Sequence, residues 1–373
     1  MRLPSSIRLD AWHLRLRSWD WRTIALVLGI KALIFTFAVQ AVTTLTTSYD
    51  GWMEIWNRWD AVHYVGLAER GYLATGEERV SIVFYPLYPW VVRAAAFVTR
   101  NYLSAAFVVS GIASVAAALL LQRLARLDES RIVARNAVWF LFIFPTSYFL
   151  HIGYTESTFL ALTLGCFLAA RSDRWPLVGL LGMCACLTRV NGLLLVPALA
   201  LEAFLQYRTS RRLNLRWLWI GVVPVGFAAY LWLNYQVTGD FFAFSQILEE
   251  HWFKKFTPPW VGLRDVWLRI PDGSVTEGLH EFFFIALAFV CTLWCWWRLR
   301  PSYAVWMTLN WLLICSTSFV LSVPRYTLTF FPVFILIARA CTRRLVCFAL
   351  VTVWSLLYLA LYVGRFVQGL WAF

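Results

Sequence analysis

A chain of 373 residues that is 61% hydrophobic and only 14% charged, with positive mean hydropathy, is excluded from the ordinary soluble class, where those fractions sit near one half and one quarter. The formal charge of +13 raises nucleic acid as a partner, but the arginines fall in short clusters between apolar runs, and no nucleic-acid recognition motif accompanies them. The composition is that of an all-α polytopic membrane protein, with membrane lipids as partners and no nucleic acid.

Residues 1–22 carry Arg2, Arg8, Arg15, Arg17 and Arg22 among Leu and Trp without a signal-peptide cleavage site, and read as a cytoplasmic interfacial segment. Thr23 to Thr44 is long enough to span, since about 20 residues at 1.5 Å each cross a hydrocarbon core of about 30 Å. Further apolar runs cover 103–122, 136–150, 155–170, 176–188, 191–206, 217–237, 282–297, 303–321, 327–341 and 345–363. The stretch 81–99 is also apolar but holds two prolines and Arg93.

Loop charge decides whether 81–99 spans, because short cytoplasmic loops carry the Lys/Arg excess. With 81–99 outside, the inner side holds twenty cations and six acids, the outer side twelve and fourteen. A spanning 81–99 would export nearly all of the inner charge. The expectation is therefore eleven spans, residues 45–102 as a first outer loop with juxtamembrane or re-entrant helices, and 238–281 as a second large outer loop. All of this forms one integral-membrane domain, 1–373. The eight cysteines lie in or beside apolar runs and read as small hydrophobes. Gly179-x-x-Gly182 permits close helix packing.

Under this topology the polar clusters emerge on one face. Asp60 is a candidate general base for an acceptor alcohol, or equally the N-cap of a helix starting at Ala61. His63 and Tyr64 follow at helical spacing, with Glu69 two to three turns on. Asp60, His63 and Glu69 make only a weak case for a metal, because Asp-x-x-His has no specific geometry without further ligands; no cofactor is firmly predicted and a divalent metal is left open. Arg189 and Arg325 stand at the outer ends of spans, where a guanidinium either snorkels to headgroups or binds a lipid phosphate. Tyr85, Tyr88, Asn191 and Tyr326 flank the same surface. Glu156 could orient a sugar hydroxyl, pair with one of the arginines, or form a helix-start capping box. Lys254-Lys255 and Trp260 read first as a headgroup anchor and second as an acceptor contact. No Gly-rich nucleotide loop is present, so a transferred sugar would come from a lipid-linked donor.

Arg58-Trp59-Asp60-Ala61-Val62-His63-Tyr64 with Gly71-Tyr72, Phe84-Tyr85-Pro86-Leu87-Tyr88-Pro89, Pro145-Thr146-Ser147-Tyr148-Phe149 leading to Tyr154-Thr155-Glu156-Ser157, Arg189-Val190-Asn191-Gly192 and Pro324-Arg325-Tyr326 occur in that order. Together they resemble the motifs of the mannosyltransferase family typified by GPI mannosyltransferase 2. The resemblance implies a GT-C-type helical bundle that moves mannose, with inversion, from a polyprenyl- or dolichyl-phosphate donor to a hydroxyl of a glycan or glycolipid acceptor. It implies Asp60 as the base and Arg189 and Arg325 as donor-phosphate ligands. This compact chain resembles a bacterial member, which implies the inner membrane with the site on the periplasmic face; the endoplasmic reticulum and its lumenal face are the alternative. A lipid-linked sugar flippase and a noncatalytic subunit of the same fold are the competing functions.

Overall fold

The computed structural model describes residues 18–43, 51–271 and 277–373. Most of the interfacial segment expected over 1–22, and parts of both outer loops, lie outside the described residues. The secondary structure is helical, and the isolated bridge Phe256–Thr317 is the only β pairing among the described residues.

Helix α1 (Ser18–Thr43) is followed by α2 (Asp60–Arg70) and then α3 (Leu87–Thr99). A 3-10 segment, Glu77–Val83, meets α3 across Phe84–Pro86 at a bend of 111°. That bend belongs to a broken span or a re-entrant loop, and its cause is Pro86, which forces its predecessor out of helical geometry. Asn101 then starts α4 (Tyr102–Ala125) by accepting the Ser104 N–H on its side chain at 2.8 Å, and Ser130 caps α5 (Arg131–Phe142) on Val133 in the same manner. The middle of the chain forms α6 (Glu156–Arg171), α7 (Trp175–Cys186), α8 (Leu195–Ser210) and α9 (Val225–Thr238). Two short helices, α10 (Ala243–Glu250) and α11 (Pro259–Arg269), lie within the segment 238–281. The last five are α12 (Leu279–Arg298), α13 (Pro301–Cys315), α14 (Val323–Thr327), α15 (Phe331–Cys341) and α16 (Leu345–Val367).

Among the described residues six helical stretches are long and apolar enough to cross a membrane, or seven with the bent pair counted as one. The chain is a multi-pass membrane protein, but the expected eleven full spans are not reached on that measure. Each apolar run contains a helix, yet α5, α6, α7, α13 and α15 have only 11 to 16 residues, against the roughly 20 a hydrocarbon core requires. Four of them are cut short where polar motifs interrupt the apolar pattern: α5 stops before Pro145, α6 begins at Glu156, α7 stops before Thr188-Arg189, and α15 starts behind Pro324-Arg325. The truncated ends converge and carry the site.

The core is built on α4 against α6 and on α6 against α7, with α15 on α5 and α12 on α13. Gly179 and Gly182 let the 3-10 segment Leu215–Val222 lie directly on α7. A Cβ at Gly179 would stand 2.7 Å from the Trp219 carbonyl oxygen, and one at Gly182 would stand 2.5 Å from Val223 Cγ2. The expected small-residue packing is therefore present.

Candidate active site

The Arg58-Trp59-Asp60 segment is held from both sides before α2 begins. Arg58 donates to the carbonyls of Ile55 at 3.1 Å and Val367 at 3.0 Å, and its own carbonyl accepts the Tyr154 hydroxyl at 2.9 Å. Trp59 takes φ 54°, a costly conformation for a bulky residue that persists only where the surroundings impose it. Its ring packs edge-on against Trp371 with centroids 5.2 Å apart.

Asp60 is the first residue of α2, Trp59 is its N-cap, and no side chain caps that end. The N-cap reading of Asp60 is thereby corrected. Its carboxylate turns away from the helix backbone and receives Arg325 Nη1 on Oδ2 at 2.6 Å. Arg325 donates through Nε to Glu156 Oε1 at 2.5 Å, and the same oxygen receives Arg189 Nη1 at 2.6 Å. The four side chains form an alternating relay, Asp60–Arg325–Glu156–Arg189. Arg325 also lies over the Tyr154 ring at 4.6 Å and the Phe149 ring at 5.0 Å, contacts worth more in a desolvated setting. Side-chain exposure is 24% for Asp60, 6% for Arg325, 0% for Glu156 and 15% for Arg189. The middle of the relay is sealed and its two ends are open, so Asp60 and Arg189 are the members most available to a ligand. Burying charge is costly unless it is paired, and Glu156 meets that condition for both guanidiniums at once.

The segments that deliver these groups are fixed locally. Glu281 of α12, fully buried, accepts the N–H groups of Ser322 at 2.7 Å and Val323 at 2.8 Å, where Ser322 sits at φ 72°. Thr146 Oγ1 donates to the Pro324 carbonyl at 2.9 Å. Together they hold α14, the five-residue helix that carries Arg325 and Tyr326.

Asp60, Arg189 and Arg325 line a cavity of about 580 Å³, within the range of small-molecule sites. His63, Tyr64, Tyr85, Asn191 and Tyr326 line it too. His63 stacks on Phe84 at 4.8 Å and shares a 2.9 Å hydrogen bond between Nδ1 and Ser81 Oγ. Burial pushes its imidazole below its ordinary value and outweighs the pull of Asp60. Burial raises the Tyr64 phenol well above its usual range, so this hydroxyl stays protonated beside Asp60. Tyr85 stacks on Tyr230 at 3.9 Å, and Asn191 Nδ2 donates to Asn310 Oδ1 at 2.7 Å. Glu156 lies beneath the cavity rather than in its wall.

Two expected site residues are elsewhere. Glu69 is exposed and pairs with its neighbour Arg70 at 2.8 Å. Tyr88 is wholly buried, with its hydroxyl 2.8 Å from Ser110 Oγ, and supports Tyr64 from behind through an edge contact at 5.3 Å. The segment 238–281 adds residues that the sequence pointed toward headgroups. Lys254 Nζ donates to the Tyr326 hydroxyl at 3.2 Å, and Trp252 and His251 complete the wall. Burial would raise the Tyr326 phenol, but Lys254, Arg325 and Arg189 around it draw it below its ordinary value. The relay's two acids and two arginines cancel, and Lys254 has no carboxylate partner among the described residues. It is the uncompensated cation facing the cavity. Among the described residues no three His, Cys, Asp or Glu side chains converge as metal ligands.

No family model matches the chain. The architecture is that of the GT-C membrane glycosyltransferases: the structure superposes on ArnT from Cupriavidus metallidurans bound to undecaprenyl phosphate with a TM-score of 0.53 at 17% identity, over 88% of this chain and 61% of that one. The Archaeoglobus fulgidus oligosaccharyltransferase tethered with an acceptor peptide gives 0.50 at 11% identity, over 92% of this chain and 55% of that one. At such identities the likeness establishes the fold alone. In sequence, the chain is similar to GPI mannosyltransferase 2 of Yarrowia lipolytica, 32% identical over 139 residues, which are 36% of this chain and 37% of the relative. The chain thus spans little more than a third of that mannosyltransferase's length.

Proposed function

We propose that this chain is a glycosyltransferase that moves a mannosyl residue from a polyprenyl- or dolichyl-phosphate donor to a hydroxyl of a lipid-linked or envelope glycan, with inversion, at the outer face of the membrane. The observation that carries the reading is the relay itself, which presents the Asp60 carboxylate and the Arg189 and Arg325 guanidiniums to a single cavity, Arg189 the more open of the two, while Lys254 adds an uncancelled positive charge. A carboxylate and a set of cations in one space are what displacement of a lipid phosphate requires. The bond from the anomeric carbon to the phosphate oxygen breaks as the acceptor oxygen bonds to that carbon from the opposite side. The acceptor proton goes to Asp60, and the electron pair leaves with the phosphate.

Arg325 fixes Oδ2 of Asp60 and so orients the carboxylate, making it a positioning residue in this scheme. Arg189 and Lys254 meet the charge that grows on the departing phosphate, and Tyr326 connects them: Arg189 lies over its ring at 5.3 Å and Lys254 donates to its hydroxyl. The role of Arg325 therefore shifts from phosphate ligand to partner of the base. The mannosyltransferase similarity supports the sugar, and the lipid phosphate bound by the ArnT relative supports the donor class.

The test is transfer by the purified protein in detergent from polyprenyl-phosphate mannose and, separately, from a nucleotide sugar. The expected result is product from the lipid donor alone, with the anomeric configuration reversed by NMR. Translocation of the lipid donor across vesicles with no glycosidic product would overturn the reading in favour of a flippase.

A further inference from the structure

A second cavity, of about 730 Å³, opens at the end of the bundle opposite Asp60. Helix α6 connects the two: Glu156 at its start belongs to the relay, and Arg171 at its end lines the second cavity. Its sixteen residues rise about 24 Å between them.

Two ion pairs form the wall of this space and satisfy each other. Arg171 is bidentate on Asp128 at 2.7 and 2.8 Å. Arg300 is bidentate on the fully buried Glu202 at 2.6 and 2.7 Å, with Ser302 Oγ donating to the same carboxylate at 2.9 Å. Those four charges cancel. What remains for a ligand is mixed in sign. The Arg212 guanidinium makes no ion pair among the described residues. Asp173 accepts Trp175 Nε1 and Asn214 Nδ2 on Oδ1, each at 2.9 Å, and its Oδ2 receives no donor from the described residues. Trp217 Nε1 is a buried donor without a partner among the described residues, a state that costs free energy unless something fills it. Asp173 is held at φ 58°, outside the conformations a non-glycine residue prefers. The mouth continues into apolar surface: Leu213, Leu215 and Leu218, beside Arg212, are 82%, 81% and 76% exposed.

We propose that this cavity binds the headgroup of a membrane phospholipid that carries both a phosphate and an ammonium group. The phosphate meets Arg212 and the Trp217 indole N–H, and the ammonium meets Asp173. The acyl chains leave over Leu213, Leu215 and Leu218, a rim that a soluble ligand does not use. A purely anionic headgroup would satisfy Arg212 but leave Asp173 facing a like charge. The site is independent of the chemistry at Asp60.

Native mass spectrometry of the full chain in detergent, incubated with equal amounts of phosphatidylethanolamine and phosphatidylglycerol, tests the proposal beside Arg212→Gln and Asp173→Asn. Asparagine tolerates the left-handed backbone at 173, so that variant keeps its fold. The expected result is selective retention of phosphatidylethanolamine, lowered about tenfold in each variant. Retention indifferent to both substitutions, or preference for phosphatidylglycerol, would overturn it. Soluble glycerophosphoethanolamine competing as well as the lipid would show that the apolar rim contributes nothing, and would overturn the lipid as the source.

Discussion

Asp60 and Arg325, 265 positions apart in the chain, meet at 2.6 Å in a wall where only Asp60 is appreciably open to the cavity. The arginine arrives on a five-residue helix and is held by a second carboxylate, so it orients Asp60 instead of being drawn to it from solvent. Lysine at 325 keeps the charge but loses the paired geometry. Arg325→Lys is expected to lower turnover by about tenfold to a hundredfold, read as kcat for transfer from the lipid donor.

Glu156 neutralises two guanidiniums with one oxygen, so removing its charge leaves both exposed to each other in a buried setting. Glu156→Gln is expected to destabilise the fold by about 3–5 kcal/mol, the usual cost of breaking a buried pair from one side. Thermal unfolding in detergent reads it, and an unchanged midpoint would contradict the relay as a structural unit.

Glu281 acts one step further back, through the backbone of Ser322 and Val323. Gln at 281 retains one acceptor and loses the other N–H. Turnover should fall by more than KM for the lipid donor rises, because the displaced helix carries Arg325, the partner of Asp60, while Arg189 and Lys254 stand on other segments. Aspartate, which keeps both acceptor oxygens on a shorter arm, should recover less than wild-type activity but more than Gln.

Lys254 is the cation whose loss should register in donor binding. A hydrogen bond to a charged group is worth about 1.5–3 kcal/mol, so Lys254→Met is expected to raise the donor KM by about tenfold or more, with Arg partly restoring it. A variant with normal KM would return Lys254 to the headgroup role.

His63 gives a pH signature. Its folded-state affinity for a proton is below the ordinary value, mainly through burial. The unfolded chain therefore binds a proton that the folded chain refuses, and stability rises with pH in that window. The contribution is complete above about 6.5 and is lost as pH falls below it. Unfolding midpoints measured from pH 7.5 down to 5 should decline less steeply in His63→Gln than in the wild type.

Asp60, Glu156, Arg189 and Arg325 could be read from the sequence because an ionisable residue at the edge of an apolar run is costly without a task or a partner. Which partner each one takes was not legible, because it depends on a turn between α13 and α15 reaching a loop 265 residues earlier. Glu69 was misplaced by phase: nine residues at about 100° each put it on the opposite side of α2 from Asp60, whereas His63 and Tyr64 fall close to the same side. Tyr88 follows Pro86 onto α3 and faces α4, which local spacing does not reveal. The apolar runs located the helices, but residue counts could not show that the short ones stop inside the bundle to deliver polar motifs. Lys254 carried only a headgroup signal until the loop was seen closing on Tyr326.

The central claim is that Asp60 takes the acceptor proton while other groups hold the donor. Single-turnover transfer from polyprenyl-phosphate mannose by Asp60→Asn, measured beside equilibrium donor binding, addresses it most directly. The account predicts donor binding close to wild type and transfer reduced about 10²- to 10⁴-fold; transfer at near-normal rate in a variant that binds donor would contradict it.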